Sequence, residues 1–191
     1  MERWSLAEID GEGEIPMTLK RREFMFDLGA LVAAPPLRLL KNYPEEKRRV
    51  AARFSEEEAL ALEAMCEQIF PKDDFPGAKE LGVSEFLTQT LLNSHPDWMV
   101  VYRSGLQALQ STSRAAHGRP FEKLGFDEQM KTLSMMEEGK LPGPGWDRVS
   151  PRDFFQLVRD HTLQGVYSHP RYGGNKGKGA WKMIGYDDWW A

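Results

Sequence analysis

A helix-start signal at Ser55-Glu56-Glu57-Glu58 constrains this chain more than any other feature. The Ser55 hydroxyl and the Glu58 carboxylate are spaced to satisfy each other's backbone N–H groups, and early glutamates suit the positive end of a helix dipole. Leu60, Leu62, Met65 and Ile69 follow within the same run, and Pro71, which has no backbone N–H, stops it. The same grammar recurs downstream. Ser84 is placed to cap a short helix carrying Phe86, Leu87, Leu91 and Leu92. Pro96 and Asp97 open a longer helix to about Ala116, with Met99, Tyr102, Leu106 and Leu109 facing inward and Gly118 as its C-cap. A link anchored by Phe121, Leu124 and Phe126 leads to Asp127, which is expected to cap a helix with Met130, Leu133 and Met136. Ser150-Pro151 starts another, running to about Tyr167 with Phe154, Phe155, Leu157, Val158, His161 and Thr162. Runs of Val, Ile, Thr and Tyr with period-two alternation are missing. The expectation is an all-α fold: a compact multi-helix domain whose Gly- and aromatic-rich C-terminal loop, residues 165–191, wraps the domain or a partner.

Composition fits one such core. The chain has 191 residues, 41% hydrophobic and 28% charged, with a net charge of −4. That length and balance support a soluble globular domain. The acidic balance argues against general nucleic-acid binding. No apolar run approaches the roughly 18 residues of a membrane span. A single cysteine rules out an internal disulfide framework and a cysteine-based zinc site.

Residues 1–45 read as a leader and 46–191 as the helical domain. Within the leader, Arg21-Arg22-Glu23-Phe24-Met25 precedes an apolar stretch to Ala34, interrupted by Asp27. A basic segment before a short apolar one is the shape of an export signal, and Arg21, Arg22 and Phe24 match the twin-arginine pattern. About 11 helical residues reach roughly 16 Å, too short for a permanent span. An ordinary amphipathic helix carrying Lys20, Arg21 and Arg22 is the alternative. Val32-Ala33-Ala34 offers a cleavage site, though Pro35 follows it, and Met17 offers a second start.

Chemistry-bearing residues are sparse. There is no nucleophile elbow and no phosphate loop, and Gly173-Gly174 does not follow a strand. Asp73-Asp74 can hold a hard cation or, more simply, satisfy N–H groups in a proline-bounded turn. His161 and His169 either join a metal site or serve locally near a helix end. Cys66 is a core thiol or, after export, half of an intersubunit disulfide. The tail places Arg171, Lys176 and Lys178 among glycines, then Trp181, Met183, Ile184, Tyr186, Trp189 and Trp190. Tryptophan, tyrosine and arginine dominate interface energies, so the tail either fills grooves of its own domain or docks a partner. Asp187 and Asp188 weigh against direct contact with anionic lipid.

The tail also carries a resemblance. Tyr167, His169-Pro170, Tyr172-Gly173-Gly174-Asn175, Trp181 and Ile184-Gly185-Tyr186, together with Pro71, Asp73 and Pro76-Gly77-Ala78 after Ile69, resemble the gluconate 2-dehydrogenase subunit 3 family. The likeness runs from about Arg21 to Tyr186. It implies a small subunit without a redox centre of its own, in a periplasmic sugar or sugar-acid dehydrogenase exported by the twin-arginine route. A large FAD-dependent subunit then oxidises the substrate, and a membrane-bound multihaem cytochrome c subunit, where present, carries haem c. The small subunit helps fold, export and stabilise the large one. His169, Pro170, Tyr172, Gly173, Gly174, Asn175, Trp181 and Tyr186 are then the residues of architecture or partner binding. A stand-alone binding module, or a metal-dependent enzyme using His161 and His169, is the alternative.

Overall fold

A computed structural model describes residues 54–186. Its helices are α1 (Glu56–Ile69), α2 (Val83–Asn93), α3 (Pro96–His117), α4 (Phe126–Glu137), α5 (Pro151–Tyr167) and α6 (Gly179–Ile184). Short 3-10 turns lie at Phe121–Lys123, Pro170–Tyr172 and Lys176–Lys178. The described residues form no strand, and no described helix is long and apolar enough to cross a membrane.

The first cap forms as its sequence requires. Ser55 N–H donates to Glu58 Oε2 at 2.9 Å, and Glu58 N–H donates to Ser55 Oγ at 3.2 Å. The Glu58 carboxylate does more than cap. Gln107 Nε2 donates to its Oε1 at 2.9 Å and Arg103 Nε at 3.3 Å, which ties α1 to α3. Burial pushes the Glu58 carboxyl up, but the Ser55 N–H, Gln107 and Arg103 together hold it below its ordinary value.

Two caps differ from expectation. Gly82, not Ser84, is the N-cap of α2. The chain reverses after Ala78, with Val83 N–H on the Ala78 carbonyl at 3.0 Å, and that reversal needs φ +72° at Gly82. Gly125, not Asp127, is the N-cap of α4; Glu128 reaches back to accept from Gly125 N–H at 2.8 Å. The helix therefore starts at Phe126, which is 57% exposed rather than a core anchor. Leu60 is also exposed, so the inner face of α1 is Ala61, Leu62, Met65 and Cys66.

Helix α3 supplies the largest part of the core. Met99, Tyr102, Leu106 and Leu109 are fully buried in one cluster with Leu62 and Met65 of α1, Leu87 and Leu91 of α2, Met136 of α4, and Phe154 and Val158 of α5. Phe154 lies directly over Gly105. A Cβ there would fall 2.5 Å from the ring, so the close approach requires glycine. Burying a ring of this size contributes about 1.5–3 kcal/mol. A polar web closes the other end: Gln110 Oε1 accepts from Phe121 N–H at 2.8 Å, and Gln129 Nε2 donates to the Phe121 carbonyl at 3.0 Å. Gln68 donates to Gln129 at 2.9 Å, linking α1, α3 and α4 through the Phe121 turn.

The C-terminal segment is not one long loop over its described length. Two 3-10 turns and α6 occupy residues 170–184. The reversals come from left-handed backbone at Gly173, Asn175, Gly177 and Lys178.

Candidate functional site

The two stretches that carry the resemblance are packed against each other. After α1, Asp73 Oδ1 accepts from Phe75 N–H at 2.8 Å, so this aspartate closes a turn. Glu67 spans the loop: its Oε1 accepts from Lys72 N–H at 3.0 Å and its Oε2 from Lys79 N–H at 2.8 Å. Gly77 faces that carboxylate so closely that a Cβ would lie 2.4 Å from Glu67 Oε1. The tail then docks on this loop. Lys176 N–H donates to the Leu81 carbonyl at 3.1 Å, and its Nζ meets Glu85 Oε2 at 2.7 Å. Gly179 sits against Pro76 and Leu81, where a Cβ would come within 2.7 and 2.9 Å of their side chains.

Asn175 is the hub of the tail. It is fully buried at φ +47°. Its Nδ2 donates to the Ser168 carbonyl at 3.2 Å and its Oδ1 accepts from Ala180 N–H at 2.9 Å. One side chain thus joins the end of α5 to the start of α6. Gly174 beside it has no room for a Cβ, which would fall 2.3 Å from the Gly165 carbonyl oxygen. Trp181 is buried, and its indole N–H donates to the Tyr167 carbonyl at 3.1 Å.

Other residues of the motif face outward. Tyr172 is 55% exposed and Tyr186 49%. His169 stands edge-on to Trp181, with centroids 5.4 Å apart, and to Tyr172 at 6.4 Å; Tyr186 meets Trp181 at 5.1 Å. Arg171 lies over the Tyr172 ring at 4.7 Å. Pro170 opens the 3-10 turn that carries Arg171 and Tyr172. Next to His169 and Tyr172 an open groove of about 490 Å³ runs between α2 and the end of α5. Phe86, Gln89, Asn93 and Gln164 are among its lining residues.

The two histidines are not brought together as a metal site. His169 Nδ1 accepts from Arg171 N–H at 3.1 Å. His161 Nδ1 lies 2.9 Å from the Tyr102 hydroxyl, with the rings stacked 7° from parallel. Burial pushes the Tyr102 hydroxyl pKa up, so the phenol stays protonated. Burial pushes the His161 pKa down, against the opposing pull of Asp160. Among the described residues no group of three or more His, Cys, Asp and Glu is placed to hold a metal ion. The metal alternative built on His161, His169 and Asp73-Asp74 therefore lacks a ligand set there.

Cys66 is 1% exposed, and Thr162 Oγ1 donates to its sulfur at 3.3 Å. Burial pushes the thiol up to about 12. Arg21, Arg22 and Phe24, and the tryptophans Trp189 and Trp190, lie outside the described residues. Sequence reasoning passed over Glu67, Gly105 and the Tyr102–His161 pair, because nothing marks one glutamate or glycine as the one with a partner far along the chain. It also passed over the groove residues of α2, which read only as the polar side of a helix.

No match is found among curated proteins or among solved structures. The model of the family described as gluconate 2-dehydrogenase subunit 3 matches residues 56–188, a span that holds the capped first helix, the Glu67-bridged loop and the Asn175-centred tail together. The chain belongs to the gluconate 2-dehydrogenase subunit 3 family.

Proposed function

We propose that this chain is the non-catalytic small subunit of a periplasmic, FAD-dependent dehydrogenase complex acting on a sugar or sugar acid. In this reading it binds the flavoprotein subunit, assists its folding and is exported with it on the Arg21-Arg22 signal. FAD belongs to that partner, and haem c to a membrane-bound cytochrome subunit where one is present. The observation that carries the reading is the family match over residues 56–188. The tail supports it physically. A rigid frame built on Asn175 and Trp181 holds Arg171, Tyr172 and Tyr186 at the surface, and residues of these types anchor protein interfaces. The chemistry of this chain's own side chains supports a structural role: His161 is engaged with Tyr102, and the Cys66 thiol is far too basic to act as a nucleophile at neutral pH.

An affinity pull-down of the tagged full chain from its native host tests the reading. A larger co-purifying chain with flavin absorbance is the expected result; a colourless, solitary protein overturns it. Replacing Arg21 and Arg22 with lysine in the same host tests the export step. The complex is then expected to accumulate in the cytoplasm, and unchanged periplasmic recovery contradicts the signal assignment.

A further inference from the structure

Arg103, Arg114, Arg119 and Arg159 each meet a carboxylate within the chain. Arg171 meets none among the described residues, yet it is held in place. Its guanidinium lies 4.7 Å over the Tyr172 ring, and its Nη2 donates to the Tyr172 hydroxyl at 2.5 Å. The turn beneath the pair is fixed by three bonds. Arg171 N–H donates to His169 Nδ1 at 3.1 Å, Tyr172 N–H to the His169 carbonyl at 3.0 Å, and Gly173 N–H to the Pro170 carbonyl at 2.9 Å. Most of the guanidinium's N–H donors remain open, in the planar fork that matches a carboxylate. Resting on the ring, the side chain has less freedom left to lose when such a group arrives.

Charge selects the occupant. Between Gly165 and Tyr186 the sequence carries Arg171, Lys176, Lys178 and Lys182 and no acidic residue, on a chain of net charge −4. An acidic group is disfavoured by the molecule's net charge and favoured at this segment. The segment is a poor match for anionic lipid. Such a surface recruits clusters of about 4–8 cations. Here Glu85 already takes up Lys176 at 2.7 Å, and Asp187-Asp188 follow Tyr186 directly in sequence. The apolar surroundings suit a protein instead. Exposed Tyr172 and Tyr186 end one row of rings that runs through His169 and Trp181, with centroid spacings of 6.4, 5.4 and 5.1 Å. A protein laid over that row expels water from Arg171, and a guanidinium on a ring attracts a carboxylate more strongly once it is dry.

We infer that Arg171, laid on Tyr172, receives the carboxylate of an aspartate or glutamate of the flavoprotein subunit, whose apolar side chains cover the row from Tyr172 to Tyr186. The inference rests on the subunit reading above and deepens it by naming the partner's group and the residue that binds it.

Flavin co-purification with the parent chain is measured first, so that the complex is established separately from its contacts. Purified flavoprotein is then titrated with the full-length parent and Arg171→Ala chains at low and high salt, beside their unfolding curves. The expected result is binding roughly thirty-fold weaker for the variant at low salt, a gap that narrows at high salt, and unchanged unfolding. Arg171→Lys supplies the second readout, since it keeps the charge and brings an amine that a carbodiimide joins to a carboxylate in contact. Mass spectrometry of the treated complex is expected to map that lysine to one aspartate or glutamate of the flavoprotein. Affinity equal to the parent's in Arg171→Ala overturns the inference while the subunit reading stands. So does a complex whose lysine couples to nothing, to Asp187 or Asp188 of its own chain, or to a second copy. Binding of the free chain to anionic phospholipid vesicles that Arg171→Ala abolishes would assign the residue to a membrane and overturn it as well. If no flavoprotein co-purifies with the parent chain, the subunit reading fails and takes the inference with it.

Discussion

The helical core and the tail that follows Gly165 are held by different kinds of information. In the core, Met99, Tyr102, Leu106 and Leu109 repeat at helical spacing, and many side chains share one cluster. No single residue decides whether α3 packs. In the tail, α5 is joined to α6 by the Asn175 side chain and the Trp181 indole N–H, one contact each, and Gly174 fits beneath the Gly165 carbonyl where no side chain would. Redundant burial resists substitution gradually, whereas a chain of single contacts fails at one link. The two regions should therefore differ less in how much a substitution costs than in how far the damage spreads.

The largest effect is expected in the core. Phe154→Ala empties the space over Gly105 and should cost about 3–5 kcal/mol, read by chemical denaturation as a shift of the whole unfolding transition. A loss confined to α5, with α1 and α3 unaffected, would mean that the cluster is less cooperative than its packing implies.

Asn175→Ala comes next, at about 1–3 kcal/mol for two buried hydrogen bonds. Hydrogen exchange is the sharper readout. Protection should fall across residues 175–186 while the amides of α1 and α3 keep theirs. Asn175→Gly separates the causes, because glycine accepts φ +47° but makes neither side-chain bond. Its cost should be smaller than alanine's by up to about 1 kcal/mol. Equal costs would assign the whole effect to the hydrogen bonds.

A smaller effect is expected from pH. The imidazole of His161 is held neutral by burial, so its folded value lies below the ordinary 6.5. Below that ordinary value the unfolded chain binds the proton more readily than the folded one. This contribution to stability is thus present above about pH 6.5 and lost as pH falls through the folded value. Thermal unfolding followed against pH should show the loss, and His161→Asn should flatten that limb. An unchanged slope in the variant would assign the acid sensitivity in that range to groups other than His161.

Legibility follows the same division. The Ser55–Glu58 cap, the run of α3 and its Gly118 end, and the Ser150-Pro151 start of α5 were readable because each rests on local chemistry summed over several positions. The caps of α2 and α4 were misplaced because a glycine carried each turn, and a polar residue nearby made the more familiar signal. In the tail, composition alone pointed to a loop. The left-handed residues that fold it into turns depend on partners such as Ser168, Ala180 and Leu81, which are fixed only by the tertiary structure. The resemblance names residues there without saying which of them build the frame and which face outward.

That last distinction is the centre of the account, and one variant addresses it directly. Tyr172 is exposed and stands on a frame it does not support, so Tyr172→Ala should leave thermal stability within about 0.5 kcal/mol of the parent chain. As an interface anchor it should cost about 2 kcal/mol of affinity for the flavoprotein, roughly thirty-fold. The measurement is a titration of purified flavoprotein with parent and Tyr172→Ala chains, paired with their unfolding curves. Unchanged stability with a thirty-fold loss of binding is the predicted result. Unchanged binding would contradict the division of the motif into a buried frame and an outward contact surface.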